Sequence, residues 1–284
     1  MNKFTIICTR KSRIYIFAIF VVFLFSGQTH AQQESKYSLN YPADYFRNRG
    51  NVINFNPSAH KRIGVLVRNR TNLPLPKITD KIFGTSPFDR YRQFFYFRIE
   101  DELREDIAND NLNATRAYDF TGKLISGGKP VDEGHKAFNM VFLNFGPREV
   151  IQCSCKGVTF QTNQGNFAYV GEDSILHEIG HAFAGLADEY SHPAASSFTA
   201  VNIEDRQAQP IKWNGLIKQG LLPSERIERK EITNGIDNGK FLIPSNNCYM
   251  NNHTGPKDNR YCAVCQIAII ERISRLSGVP IPVK

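Results

Sequence analysis

The period of hydrophobic and polar positions changes several times along the chain, and each change marks an expected element. An unbroken apolar run from Ile14 to Phe25 is followed by residues 32–61, polar with scattered Tyr, Asn and Pro and no period, which predicts an extended lead-in. Ile63, Val65 and Val67 then alternate with Gly64, Leu66 and Arg68, a strand pattern that the Asn-Leu-Pro-Leu-Pro segment at 72–76 closes. Ser86-Pro87 is placed to open a helical turn. The aromatic run Phe94 to Phe97 suits a strand, while Phe95, Ile99, Leu103 and Ile107, spaced four apart, suit a helix face; the pattern leaves both open. Thr-Gly and Gly-Gly signals between Asp119 and Gly128 predict a surface hairpin or loop.

The next three apolar runs, Phe138 to Phe145, Val150 to Phe160 and Asn166 to Val170, read as strands separated by turn residues. They lead into a helix after Gly171–Ser174, with Asp173 or Ser174 as its cap and Gly185 as its stop. Beyond Tyr190 the chain reads mostly as loop through residue 244, with Trp213 and short apolar pieces. A final helix places Cys265, Ile269, Ile273 and Leu276 on one face and ends at Gly278 and Pro280. The order of elements predicts an α/β (α+β) domain over residues 62–284, with a mixed twisted sheet, a central helix and a loop-rich C-terminal part.

Composition alters this picture mainly at the N-terminus. Lys3, Arg10, Lys11 and Arg13 precede the apolar run, and Ser26, Gly27, Thr29 and Ala31 follow it. Positive, apolar and small residues in that order predict a secretory signal over residues 1–31, cleaved after Ala31, since the run is short for a bilayer span. The expected address is therefore exported, periplasmic or extracellular, with no stable membrane insertion after cleavage. Loss of the signal removes four basic residues and no acid, half of the formal net charge of +8. No basic run with interleaved aromatics remains to predict nucleic-acid binding.

The candidate chemistry lies in the central helix, G-E-D-S-I-L-H-E-I-G-H-A-F-A-G-L-A-D-E-Y from Gly171 to Tyr190. His177 and His181, one helical turn apart, present two imidazoles on one face, suited to a single catalytic Zn²⁺. Glu178, about 100° round the helix from His177, is placed to act as general base toward a water that the metal activates. A carboxylate beyond the glycine turn completes the ligand set. Asp188 is preferred, for its shorter side chain and a spacing that resembles zinc peptidases with an Asp ligand after a glycine turn; Glu189 is the reserve. Tyr190, Tyr249 and Tyr261 lie near these blocks as candidate hydrogen-bond donors to a transition state. His135, His192 and His253 are expected at the surface.

H-E-I-G-H-A-F-A-G-L-A-D-E-Y resembles the signature of the IgA peptidase family of bacterial zinc metalloendopeptidases, the igalysins, grouped with the metzincins. Ser86-Pro-Phe-Asp-Arg-Tyr-Arg-Gln-Phe-Phe, Lys212-Trp213, Cys248-Tyr249-Met250 and Tyr261-Cys262-Ala263-Val264-Cys265 resemble further blocks of that family, so the likeness spans most of residues 62–276. It implies a zincin-type fold, a secreted hydrolase cleaving protein or peptide substrates, and Met250 as the methionine of a Met-turn under the zinc. Gly185 departs from the usual metzincin spacing by one residue, lying four after His181. The substrate is expected along an edge strand, with Val150 to Phe160 as the candidate. Rival readings are a catalytically silent surface-binding protein of the same fold and a zinc amidase acting on cell-wall peptides.

Five cysteines, Cys153, Cys155, Cys248, Cys262 and Cys265, remain after signal removal. In an exported chain they predict disulfides such as Cys248 to Cys262 or Cys265, with one thiol left over. A zinc knuckle of Cys153, Cys155, Cys262 and Cys265 is the less favoured alternative.

Overall fold

A computed structural model describes residues 45–46, 50–69, 75–100, 140–144, 157–162, 165–170, 172–190, 200–233, 236–251 and 260–282. The expected signal segment over residues 1–31, the turn expected at 119–128, Cys153, Cys155, His135, His192 and His253 lie outside the described residues.

Alternation at Ile63, Val65 and Val67 produces strand β1, Ile63–Asn69, with all three side chains buried. The helix α1, Leu75–Phe83, follows, where the two prolines of the 72–76 segment suggested only a stop. Pro76 is its second residue, and Pro is tolerated in a first turn because that N–H has no intrahelical acceptor. Ser86-Pro87 leads into a 3₁₀ helix over Phe88–Phe94, and strand β2, Phe95–Glu100, comes next. The aromatic run is thus a strand, and the rival helix face starting at Phe95 is excluded over Phe95–Glu100.

Strands β3 (Met140–Asn144), β4 (Gly157–Thr162) and β5 (Gly165–Val170) complete a five-stranded sheet in the order β2-β1-β3-β5-β4. Its pairs are parallel except β4 with β5, so among the described residues β4 is an antiparallel edge strand. The class is accordingly mixed α/β.

The 3₁₀ turn Glu172–Ser174 runs straight into helix α2, Ile175–Ala184. Ser174 holds the N-cap position without a side-chain cap bond, so the turn, not a capping hydroxyl, starts the helix. Gly185 ends it at φ 66°, the left-handed conformation that spares a residue without Cβ. Ile175, Leu176, Ile179, Ala182 and Phe183 are buried, and α2 packs against β4, β5 and α1. The Phe183 ring meets Phe88 and Phe95 at centroid distances of 6.0 and 5.8 Å.

The stretch expected to be loop carries instead a second sheet and a short helix. Strands β6 (Glu204–Asp205), β7 (Ile227–Thr233) and β8 (Ile236–Ile243) pair antiparallel in the order β6-β8-β7, and α3 spans Asn214–Lys218. The reason is compositional: β7 reads I-E-R-K-E-I-T, with charges where an apolar alternation would announce a strand. Ile203, Ile227, Phe241 and Ile243 form a small core of their own, and Glu228 bridges Arg206 and Lys240 outside it. Trp213 joins the main core instead.

A 3₁₀ turn at Tyr249–Asn251 precedes the last helix, α4, Ala263–Ser277. Cys265, Ile269 and Ile273 are buried on its face toward α2, and Gly278 closes it at φ 76°. Among the described residues no helix is long and apolar enough to cross a membrane.

Candidate metal centre

Helical spacing sets the first two groups. His177 and His181 leave α2 on the same side, and their Nε2 atoms lie 3.0 Å apart. The turn after Gly185 brings Asp188 back beneath them, its Oδ1 2.9 Å from His177 Nε2 and 3.1 Å from His181 Nε2. Two hydrogen bonds of Gly185 and Leu186 back to the carbonyls of His181 and Gly180, 3.0 and 3.1 Å, fix that return.

The outer nitrogens decide what the inner atoms can do. His177 Nδ1 donates to the Tyr249 carbonyl at 2.8 Å, and His181 Nδ1 donates to the Leu186 carbonyl at 2.6 Å. Carbonyl oxygens only accept, so each Nδ1 carries its proton, and a metal bound between the rings would meet an Nε2 lone pair from each. Two ring nitrogens and a carboxylate oxygen therefore converge, an arrangement that needs a positive centre among them. Tetrahedral zinc at its usual ligand distances separates neighbouring donor atoms by about 3.3 Å, close to the three spacings here, so the residues fit the ion. Without a cation a proton fills the role: burial would lower the His181 pKa, but the Asp188 hydrogen bond and charge outweigh it and raise it to about 9. For Asp188 burial acts upward, and the bonds to His177 and His181 prevail, holding its carboxyl well below the usual range.

Glu178 is buried beside the pair, and one of its oxygens, Oε2, accepts a 2.7 Å hydrogen bond from Thr159 Oγ1 on β4. Burial raises its pKa, with His181, His177 and Thr159 opposing. Met250 is fully buried under α2: a Cβ placed on Gly180 would lie 2.3 Å from its Sδ.

The remaining candidates separate. The Tyr190 ring lies 5.8 Å from that of His177, and burial together with Asp188, to which its hydroxyl is hydrogen-bonded, raises its pKa. Tyr261 is buried, donates to the Leu176 carbonyl and serves the core. Tyr249 contributes its carbonyl to His177 while its ring lies tilted against that of Tyr261 at a centroid distance of 5.2 Å. Glu189, the reserve ligand, points away from the histidines: it is buried against Asn202 Nδ2, at 2.9 Å, and Cys265. Cys248, Cys262 and Cys265 are buried free thiols, so the expected disulfides among them are absent.

Thr159 and the carbonyls of Leu186 and Tyr249 were not among the expected participants. Thr159 and Glu178 are 19 residues apart, and His177 and Tyr249 are 72 apart, so no local pattern signals either pair. Compared with protein-family profiles and with curated proteins, the chain matches none.

Proposed function

We propose that this chain is an exported zinc-dependent endopeptidase of zincin type, with His177, His181 and Asp188 as metal ligands and Glu178 as general base. The observation that carries the reading is the convergence of His177 Nε2, His181 Nε2 and Asp188 Oδ1 at 2.9–3.1 Å from one another, with a buried carboxylate beside them. Bound there, zinc supplies a Lewis acid that polarises a peptide carbonyl and makes water acidic enough to attack it near neutral pH.

The protein's own groups do the rest. Thr159 holds Glu178 Oε2, which leaves the second oxygen of that carboxylate to take the proton of the attacking water and pass it to the leaving amine. Strand β4 pairs on one side with β5, and its other edge, unpaired among the described residues, would take an extended peptide main chain to main chain. Its residues Gly157 to Phe160 belong to the segment expected to be the substrate edge, and the Thr159 bond ties that edge to the base. Tyr190, whose ring lies 5.8 Å from that of His177, would donate to a developing oxyanion by exchanging its hydrogen bond to Asp188. Zinc and the family likeness of the α2 sequence enter as parts of this reading. The Met-turn role of Met250 does so too, supported by its position under Gly180.

The test is cleavage of casein and of a peptide library by the signal-free chain. Activity is expected to vanish on chelation, return with zinc, and fall by about 10²–10⁴-fold in Glu178→Ala with the metal retained. Bound zinc with no cleavage of peptides or peptidoglycan would make the chain a binding protein instead. Cleavage of peptidoglycan alone would make it a cell-wall amidase.

A further inference from the structure

A second group of metal-binding side chains lies outside this site. The three Cys Sγ atoms of residues 248, 262 and 265 and a Glu189 carboxylate oxygen all lie within 4.8 Å of one another, and all four residues are buried. Cys248 Sγ and Cys265 Sγ are 3.6 Å apart, and Cys265 Sγ is 3.4 Å from Glu189 Oε1. In a tetrahedral zinc site with Zn–S near 2.3 Å and Zn–O near 2.1 Å, neighbouring sulfurs stand about 3.8 Å apart and sulfur stands about 3.6 Å from oxygen. These two spacings are within a few tenths of an ångström of those values, and the other pairs lie within 4.8 Å.

Two further observations point to a cation. Glu189 Oε2 is buried with no hydrogen-bond partner, a costly condition for a carboxylate that a bound cation would relieve. The backbone N–H of Cys262 donates to Cys248 Sγ at 3.3 Å, which favours the thiolate form that a metal requires. Three thiols also cannot all be satisfied by pairing, since one disulfide would leave the third beside the buried carboxylate.

We infer that Cys248, Cys262, Cys265 and Glu189 form a second metal site, structural and suited to zinc by its soft, closed donor set. It binds by releasing the thiol protons. The site joins three segments: the turn after α2, Cys248 at the entry to the Tyr249–Asn251 turn, and the start of α4. Glu189 follows Asp188 directly, and its N–H donates to the Met250 carbonyl at 2.8 Å. The second ion therefore positions Asp188 from behind, through the main chain, and holds Met250 against α2.

The inference goes beyond the peptidase reading, and its test separates the two. The full-length chain is produced with zinc, exported, and analysed for metal content by mass spectrometry and for ligand type by zinc X-ray absorption. Two zinc ions per chain are expected. His177→Ala/His181→Ala should keep one, with a sulfur-dominated shell near 2.3 Å, even if the chain cleaves nothing. Cys262→Ser should lose that ion, and because this variant can also fail to fold, alkylation of the denatured, metal-stripped wild type provides an independent measurement. Three alkylated thiols at Cys248, Cys262 and Cys265 support the site. A disulfide between any two of them, or a His177→Ala/His181→Ala protein without zinc, overturns it.

Discussion

At the scale of single residues, the proposed metal centre depends on which nitrogen of each histidine carries a proton. Tyr249 and Leu186 set this by accepting from the two Nδ1 atoms with their carbonyls, so the inward lone pairs do not rely on side chains that a substitution could remove. Thr159 is different, being the side chain that steadies Glu178. Thr159→Val keeps the shape and removes the hydroxyl, and kcat is expected to fall about ten- to a hundredfold, a range typical of groups that orient a metal site from behind. Zinc content should stay unchanged; unaltered kcat would show that Glu178 needs no such support. His177, Glu178 and His181 were legible in the sequence because helix geometry converts a spacing of four into a shared face. Asp188 and Glu189 were left as a pair because sequence spacing does not say which of two adjacent carboxylates turns inward. The structure separates them, placing Asp188 at the histidines and Glu189 among the thiols.

At the scale of elements, the site rests on the ends and underside of α2. Gly185 occupies the left-handed region, where a Cβ costs about 1–2 kcal/mol. Gly185→Ala is expected to lower stability by that amount and to weaken zinc retention, because the turn carrying Asp188 starts there. A denaturation midpoint equal to wild type would contradict this. Gly180 is close to Met250 instead: an added methyl would meet Sδ at 2.3 Å and Leu186 Cδ1 at 3.4 Å. Gly180→Ala should cost about 1–3 kcal/mol by overpacking, read as a lowered thermal midpoint. Legibility varies by element for physical reasons. Strand β1 and helix α4 announce themselves through apolar periodicity, whereas β7 and β8 carry Glu, Arg and Lys at positions where the pattern method needs apolar residues. Helix α1 was hidden by Pro76, which a first turn accepts without loss.

At the scale of the whole molecule, the larger sheet supplies an edge strand, α2 supplies the histidines, and the segments after α2 supply Asp188 and the floor at Met250. The main core runs through all of these, from Ile63 and Phe95 to Met250 and Ile269, so the parts of the centre share one packed body. This arrangement makes the proposed ligands sensitive to any loosening of α4, which packs against α2. Chelation that strips metal is accordingly expected to lower the thermal midpoint as well as abolish cleavage, since an ion bound to the folded state alone stabilises it by mass action. An unchanged midpoint after full removal would show that neither ion contributes to folding. The mixed α/β class was legible from the order of strands and helix. The second sheet was not, because its core is small and its surface charged.

The most direct test is anomalous diffraction at the zinc edge from crystals of the metal-loaded protein. The account predicts a peak within about 2.0–2.2 Å of His177 Nε2, His181 Nε2 and Asp188 Oδ1. No peak between the two histidines, or one in which Glu189 replaces Asp188, would contradict it.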